Sequence, residues 1–97
     1  MPTYIMLVKW TQMGIEKVKD APQRIERVRE TLKSVGGELK ALYFTFGRYD
    51  IITRVEAPSD EAMAKAVLTI GSWGAARLET LKAFPEREGL EIIKGLL

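Results

Sequence analysis

Ninety-seven residues are enough for one domain, since a single core commonly serves about 100 to 150 residues. An apolar share of 46% with 29% charged excludes disorder through low hydrophobicity, and a net charge of +2 is too slight a surplus to imply a nucleic-acid partner. Cys and His are both absent, which removes disulfides, thiolate nucleophiles, sulfur metal sites and the commonest metal ligand and general base; no metal and no cofactor is expected.

Residues 3–10, Thr-Tyr-Ile-Met-Leu-Val-Lys-Trp, are rich in β-branched and aromatic types and read as a strand. Thr11 to Asp20 reads as a loop with at most a short turn around Ile15–Lys17. From Pro22 the period turns helical: Ile25, Val28, Leu32 and Val35 recur at spacings of three, four and three, and Gly36-Gly37 stops the helix. Residues 38–46 and 49–56 read as two strands joined tightly at Gly47-Arg48, an antiparallel hairpin in which Gly47 supplies a positive φ. Ser59 or Asp60 caps a second helix with the inward stripe Met63, Ala66, Val67 and Ile70, which ends at Gly71-Ser72-Trp73-Gly74. Ala76 to Phe84 is a fourth strand. Pro85-Glu86 opens a short terminal helix with Leu90, Ile93 and Leu97 on one face.

The order β-α-β-β-α-β plus a terminal helix predicts the ferredoxin-like α+β arrangement in one domain over residues 1–97: a four-stranded antiparallel sheet with two helices on one face. The other face should then be polar, and it is not. Tyr4, Met6, Val8 and Trp10 point one way in the first strand while Ile5 and Leu7 point the other. In the second, Leu39, Ala41 and Tyr43 are set against Leu42, Phe44 and Phe46. Two helices cover one face only, and the terminal helix is too short to blanket four strands spaced about 5 Å apart. An identical sheet is the economical cover, so a homodimer or higher oligomer is expected.

The strings Tyr43-Phe44-Thr45-Phe46-Gly47-Arg48-Tyr49-Asp50, Val55-Glu56-Ala57-Pro58-Ser59-Asp60-Glu61, Gly71-Ser72-Trp73-Gly74 and Arg77-Leu78-Glu79-Thr80 resemble the GYD domain family. The opening Tyr4 to Trp10-Thr11, with Gly14-Ile15 and Val18-Lys19-Asp20, fits as well, so the resemblance spans about residues 2–85. It departs at the eponymous triplet, where Arg48 stands between Gly47 and Tyr49. The resemblance implies a dimeric α/β-barrel and brings no reaction with it. A fainter likeness links Gly-x-Tyr-Asp and the last strand to the ligand-sensing domains of leucine-responsive/asparagine-type transcription regulators. That likeness implies oligomers with small effectors at subunit interfaces. A single domain uses up the 97 residues, leaving no helix-turn-helix half, so direct DNA binding is not expected.

The basic residues Arg24, Arg27, Arg29 and Lys33 interleave with Glu26 and Glu30, which reads as a solvated mixed-charge helix face. No Walker loop, dinucleotide fingerprint or metal-ligand cluster occurs. Asp50 suits a local role, accepting from backbone N–H groups near the turn, or a carboxylate at the barrel mouth beside Arg48 or Arg77. Arg77 and Glu79 share a strand face and read as an ion pair, or as an Arg placed to bind a carboxylate. Tyr49 reads as packing or as a proton donor, Trp10, Trp73 and Tyr43 fill the dimer core or line a pocket, and Trp73 lies in a loop between two glycines.

If strand three starts beside the end of strand one and strand four begins there too, then Asp50, Trp10 and Arg77 converge. The candidate ligand-binding residues are therefore Trp10, Arg48, Tyr49, Asp50, Trp73, Arg77 and Glu79, with no catalytic residue assigned. No apolar run reaches the roughly 20 residues that span a bilayer, and the N-terminus lacks the pattern of a signal peptide. The expectation is a cytoplasmic homo-oligomer that binds a small molecule between its sheet face and helices or at the dimer interface, with neither membrane nor nucleic-acid partners. A cofactor-independent monooxygenase or isomerase and a purely structural module are the alternatives.

Overall fold

The apolar residues of the first strand are split between two faces, and this alternation organises the sheet. In the computed structural model, which describes residues 1–97, β1 (Thr3–Trp10) is a central strand. It turns Tyr4, Met6 and Val8 into the core and Ile5 and Leu7 to the other side. The elements that follow are α1 (Gln12–Glu16), a 3-10 turn (Val18–Asp20), α2 (Ala21–Ser34), β2 (Glu38–Phe44), β3 (Ile51–Glu56), α3 (Asp60–Ser72), β4 (Ala76–Ala83) and α4 (Glu86–Lys94). The strands form one sheet in the order β2-β3-β1-β4, with every neighbouring pair antiparallel.

Helices α2 and α3 pack on one face. Their buried Leu32, Met63 and Ala66 meet Tyr4, Met6, Val8 and Val55 of the strands, so the core lies between the helices and that face. Ser59 caps α3, its Oγ accepting from the Ala62 N–H at 3.1 Å, and Asp60 and Glu61 follow in the first turn where the helix dipole favours them. Gly36 and Gly74 take φ of 83° immediately after α2 and α3, a left-handed conformation that stops each helix at little cost.

Three expectations need correction. Residues 11–20 are more ordered than a loop. Thr11 caps α1 by accepting from the Gly14 N–H at 3.1 Å, and a 3-10 turn leads on to α2. The hairpin is not tight: β2 ends at Phe44 and β3 starts at Ile51, and the intervening residues are fastened by Thr45 N–H to the Asp50 carbonyl (2.9 Å) and Thr45 Oγ1 to the Tyr49 carbonyl (2.6 Å). Gly47 does take a positive φ, 152°, at the tip of that longer loop. Finally, a β-bulge between Leu39 and Ala41 shifts the phase of β2. Leu39 therefore shares the helix-covered face with Leu42 and Phe44, and Ala41 and Tyr43 are the apolar residues of β2 left on the other face, opposite Arg54 and Ile52.

The centre of the open face is thus built of two cross-strand rows, with Lys9 and Arg77 at one end and Glu38, Glu56, Thr3 and Ala83 at the other. One runs Tyr43, Ile52, Leu7, Glu79 and the other Ala41, Arg54, Ile5, Leu81. Helix α4 does not cover them. Its Leu90, Ile92 and Ile93 are about half exposed, and the molecule measures 50 Å along its longest axis against 18 Å along its shortest.

Candidate functional site

Asp50 sits where the β1–β3 ladder ends. Its backbone N–H donates to the Val8 carbonyl and its Oδ2 accepts from the Trp10 N–H, both at 2.8 Å. The carboxylate thus continues the ladder one step beyond the strand pair, which is the local role open to an aspartate after a turn. Tyr49, one residue earlier, donates its hydroxyl to Glu79 Oε2 from the far side of β1. This bond raises the Tyr49 phenol above its ordinary pKa, with burial and the Glu79 charge acting the same way.

The structure does not unite all seven candidate residues. Tyr49, Glu79 and Arg77 belong to the open face, where Arg77 stands opposite Lys9. Arg77 and Glu79 do not form the expected ion pair: the carboxylate is taken by Tyr49, and Arg77 is absent from the four salt bridges of the chain. Arg48 is exposed on the hairpin loop. Trp10 and Trp73 lie on the opposite side of the sheet, where they line an apolar cavity between sheet and helices. Asp50 is the link, since it holds the backbone of Trp10 at the edge of both regions.

Two arrangements escaped the sequence reading. The first is the Arg27 guanidinium, which lies 4.2 Å above the centre of the Trp73 ring, a cation–π contact. Its neighbour one turn back, Arg24, donates through Nη2 to the carbonyls of Gly14 (3.1 Å) and Lys17 (2.7 Å). These arginines therefore hold structure as well as face water, and the ion pair that does form on this helix joins Arg29 to Glu26.

The second is a chain of polar groups at the other end of the sheet. Tyr4 donates its hydroxyl to Asp60 Oδ1 at 2.5 Å, and Lys82 Nζ reaches the same carboxylate at 3.0 Å. Tyr4 is 3% exposed, and burial followed by the Asp60 bond pushes its phenol up to about 12. Asp60 is held below the usual carboxylate range by the Tyr4 and Lys82 bonds. A partner 56 residues away is not visible in a strand pattern.

These shifts give stability a pH dependence. The folded state favours neutral Tyr4, so its contribution is complete below the ordinary phenol range and is lost as pH rises through about 12. Ionised Asp60 contributes above the ordinary carboxylate range and loses that contribution as pH falls. Urea midpoints of the native chain should fall above roughly pH 10, and Tyr4→Phe should flatten that fall. An equally steep alkaline fall in Tyr4→Phe would contradict the assignment.

The sheet order and the two helices on one face define a ferredoxin-like α+β protein. Residues 4–93 match the GYD domain, and the chain belongs to that family. It is similar to a Thermus thermophilus protein described as a glutamine synthetase and cystathionine beta-lyase binding protein, with 36% identity over 86 residues, 88% of this chain and 90% of that one. Among solved structures, an FFRP chain superposes with a TM-score of 0.63 at 19% identity, over 87% of this chain and all of that one. A hypothetical protein from Pyrococcus horikoshii gives 0.56 at 24% identity, over 89% of this chain and 93% of that one. These two structures share the fold. No helix here is long and apolar enough to cross a membrane.

Proposed function

We infer that the chain is a cytoplasmic homodimeric binding protein whose open sheet face packs on that of a second copy and whose outer surface docks on enzymes. One observation carries the reading: Ile5, Leu7, Ile52 and Leu81 lie on a sheet face that none of the chain's own helices covers, with Tyr43 left 65% exposed beside them. Burying such rows face to face stabilises by roughly 25 cal/mol per Å2 of apolar surface. The Thermus thermophilus relative, described as binding two enzymes, supports the second half. In this reading a small-molecule ligand sits at the end of the dimer interface, where Arg77 has no carboxylate partner, Glu79 two residues along β4 holds Tyr49, and Arg48 precedes Tyr49 on the hairpin loop. The cofactor-independent enzyme is less well supported, because Tyr4 and Tyr49 both have their phenols shifted away from neutrality, where a general acid or base works best.

Sedimentation velocity with purified glutamine synthetase and purified cystathionine β-lyase tests the enzyme-binding half. The chain should co-sediment with at least one of them. Independent migration of the chain from both enzymes would overturn that half and leave the dimer to be judged on its own.

A further inference from the structure

The apolar cavity beside Trp73 lies on the opposite side of the sheet from the dimer face and holds two of the candidate ligand-binding residues, Trp10 and Trp73. It is partly open to solvent and holds about 60 Å3, and 13 of its 15 lining residues are hydrophobic. A water needs about 10–15 Å3 of such space, so the cavity has room for roughly four to six water-sized groups. Away from the arginine at its rim it offers water little in return. Thr53, the polar uncharged residue of the lining, already donates its hydroxyl to the Met6 carbonyl at 3.2 Å. Apolar cavities without polar partners stay dry and accept apolar guests.

Positive charge stands at the rim. Arg24 forms part of the wall, and Arg27, one turn further along α2, stacks on the Trp73 ring that forms another part. Neither guanidinium has a carboxylate partner among the chain's salt bridges. Arg24 donates to two carbonyls through Nη2, which leaves its Nη1 and Nε groups available. A planar guanidinium suits a carboxylate, and a half-buried one gains more from it than an exposed one.

We propose that this cavity binds a small monocarboxylic acid with a compact apolar or aromatic tail. The tail fills the space between sheet and helices, the carboxylate meets Arg24 and Arg27 at the rim, and the Trp73 ring walls the tail on one side. The proposal goes beyond enzyme docking and dimer formation, and it uses the face of the sheet that neither needs.

Both tryptophans of the chain line the cavity, so their two indole N–H signals in 1H–15N NMR spectra report on it directly. The probe is phenylacetate, with toluene as the tail alone and acetate as the head alone. Phenylacetate should shift both indole signals saturably, acetate should shift neither, and toluene should bind at least tenfold more weakly. Arg27→Gln, at an exposed position, should weaken phenylacetate by roughly tenfold and leave toluene unchanged. Absence of a saturable phenylacetate shift up to its solubility limit would overturn the site, and equal affinity for toluene and phenylacetate would overturn the carboxylate assignment without needing any variant. Neither result depends on whether the chain dimerises or binds an enzyme.

Discussion

Gly14→Ala is expected to destabilise the chain by about 2–3 kcal/mol or more, although the same change inside a helix ordinarily stabilises by up to about 1 kcal/mol. The reversed sign comes from a backbone approach. A Cβ built on Gly14 would lie 1.9 Å from the Ala75 carbonyl oxygen, a main-chain atom that cannot swing aside. Relief requires α1 to lift away from the segment before β4. That motion would stretch the Thr11 N–H bond to the Ala75 carbonyl (3.1 Å) and the Thr11 hydroxyl bond to the Gly74 carbonyl (2.6 Å). It would also disturb the Arg24 contact with the Gly14 carbonyl. Urea denaturation of the alanine variant should show a clearly lowered midpoint. A midpoint equal to or above that of the native chain would show that α1 does not press on residue 75.

Asp50→Ala should cost about 1–3 kcal/mol, because it leaves the half-buried Trp10 N–H without its acceptor. Asp50→Asn should cost distinctly less, since an amide oxygen can still accept from Trp10, though without the charge that strengthens the bond. The order native, Asn, Ala in denaturation midpoint therefore reports a hydrogen-bonded clamp. Identical losses in the two variants would assign the effect to something other than acceptance at Trp10.

The parts of this fold that were readable in the sequence are those governed by short-range period. Alternation in Thr3–Trp10 and the three-and-four spacing from Ile25 to Val35 both depend on neighbours within a turn or two, and both elements form as expected. The bulge at Lys40 was not readable, because one unpaired residue leaves composition unchanged while moving Leu39 to the other face. The hairpin was drawn too tight for a related reason: Phe44 and Phe46 continue a strand-like alternation that the Thr45 contacts to Tyr49 and Asp50 interrupt.

At the site, the sequence brought out Asp50 and Trp10 as neighbours because strand direction alone places them together. It paired Arg77 with Glu79 because they are close along the chain. The competing Tyr49 hydroxyl comes from 30 residues away, across β1, and takes the carboxylate instead. Arg27 was read as part of a charged helix face for the same reason, since its Trp73 partner belongs to a different helix end. Long-range polar pairs need the register first, and the register turns on single residues such as Lys40.

The central claim is that two copies cover each other's open sheet face, and sedimentation equilibrium at micromolar concentration addresses it most directly. The native chain should sediment at twice its 10.9 kDa monomer mass or a higher multiple. Leu7→Asp, which sets a charge in the middle of the row Tyr43, Ile52, Leu7, Glu79, should shift the population to monomer while its circular dichroism stays native. A native chain found only at 10.9 kDa would contradict the account.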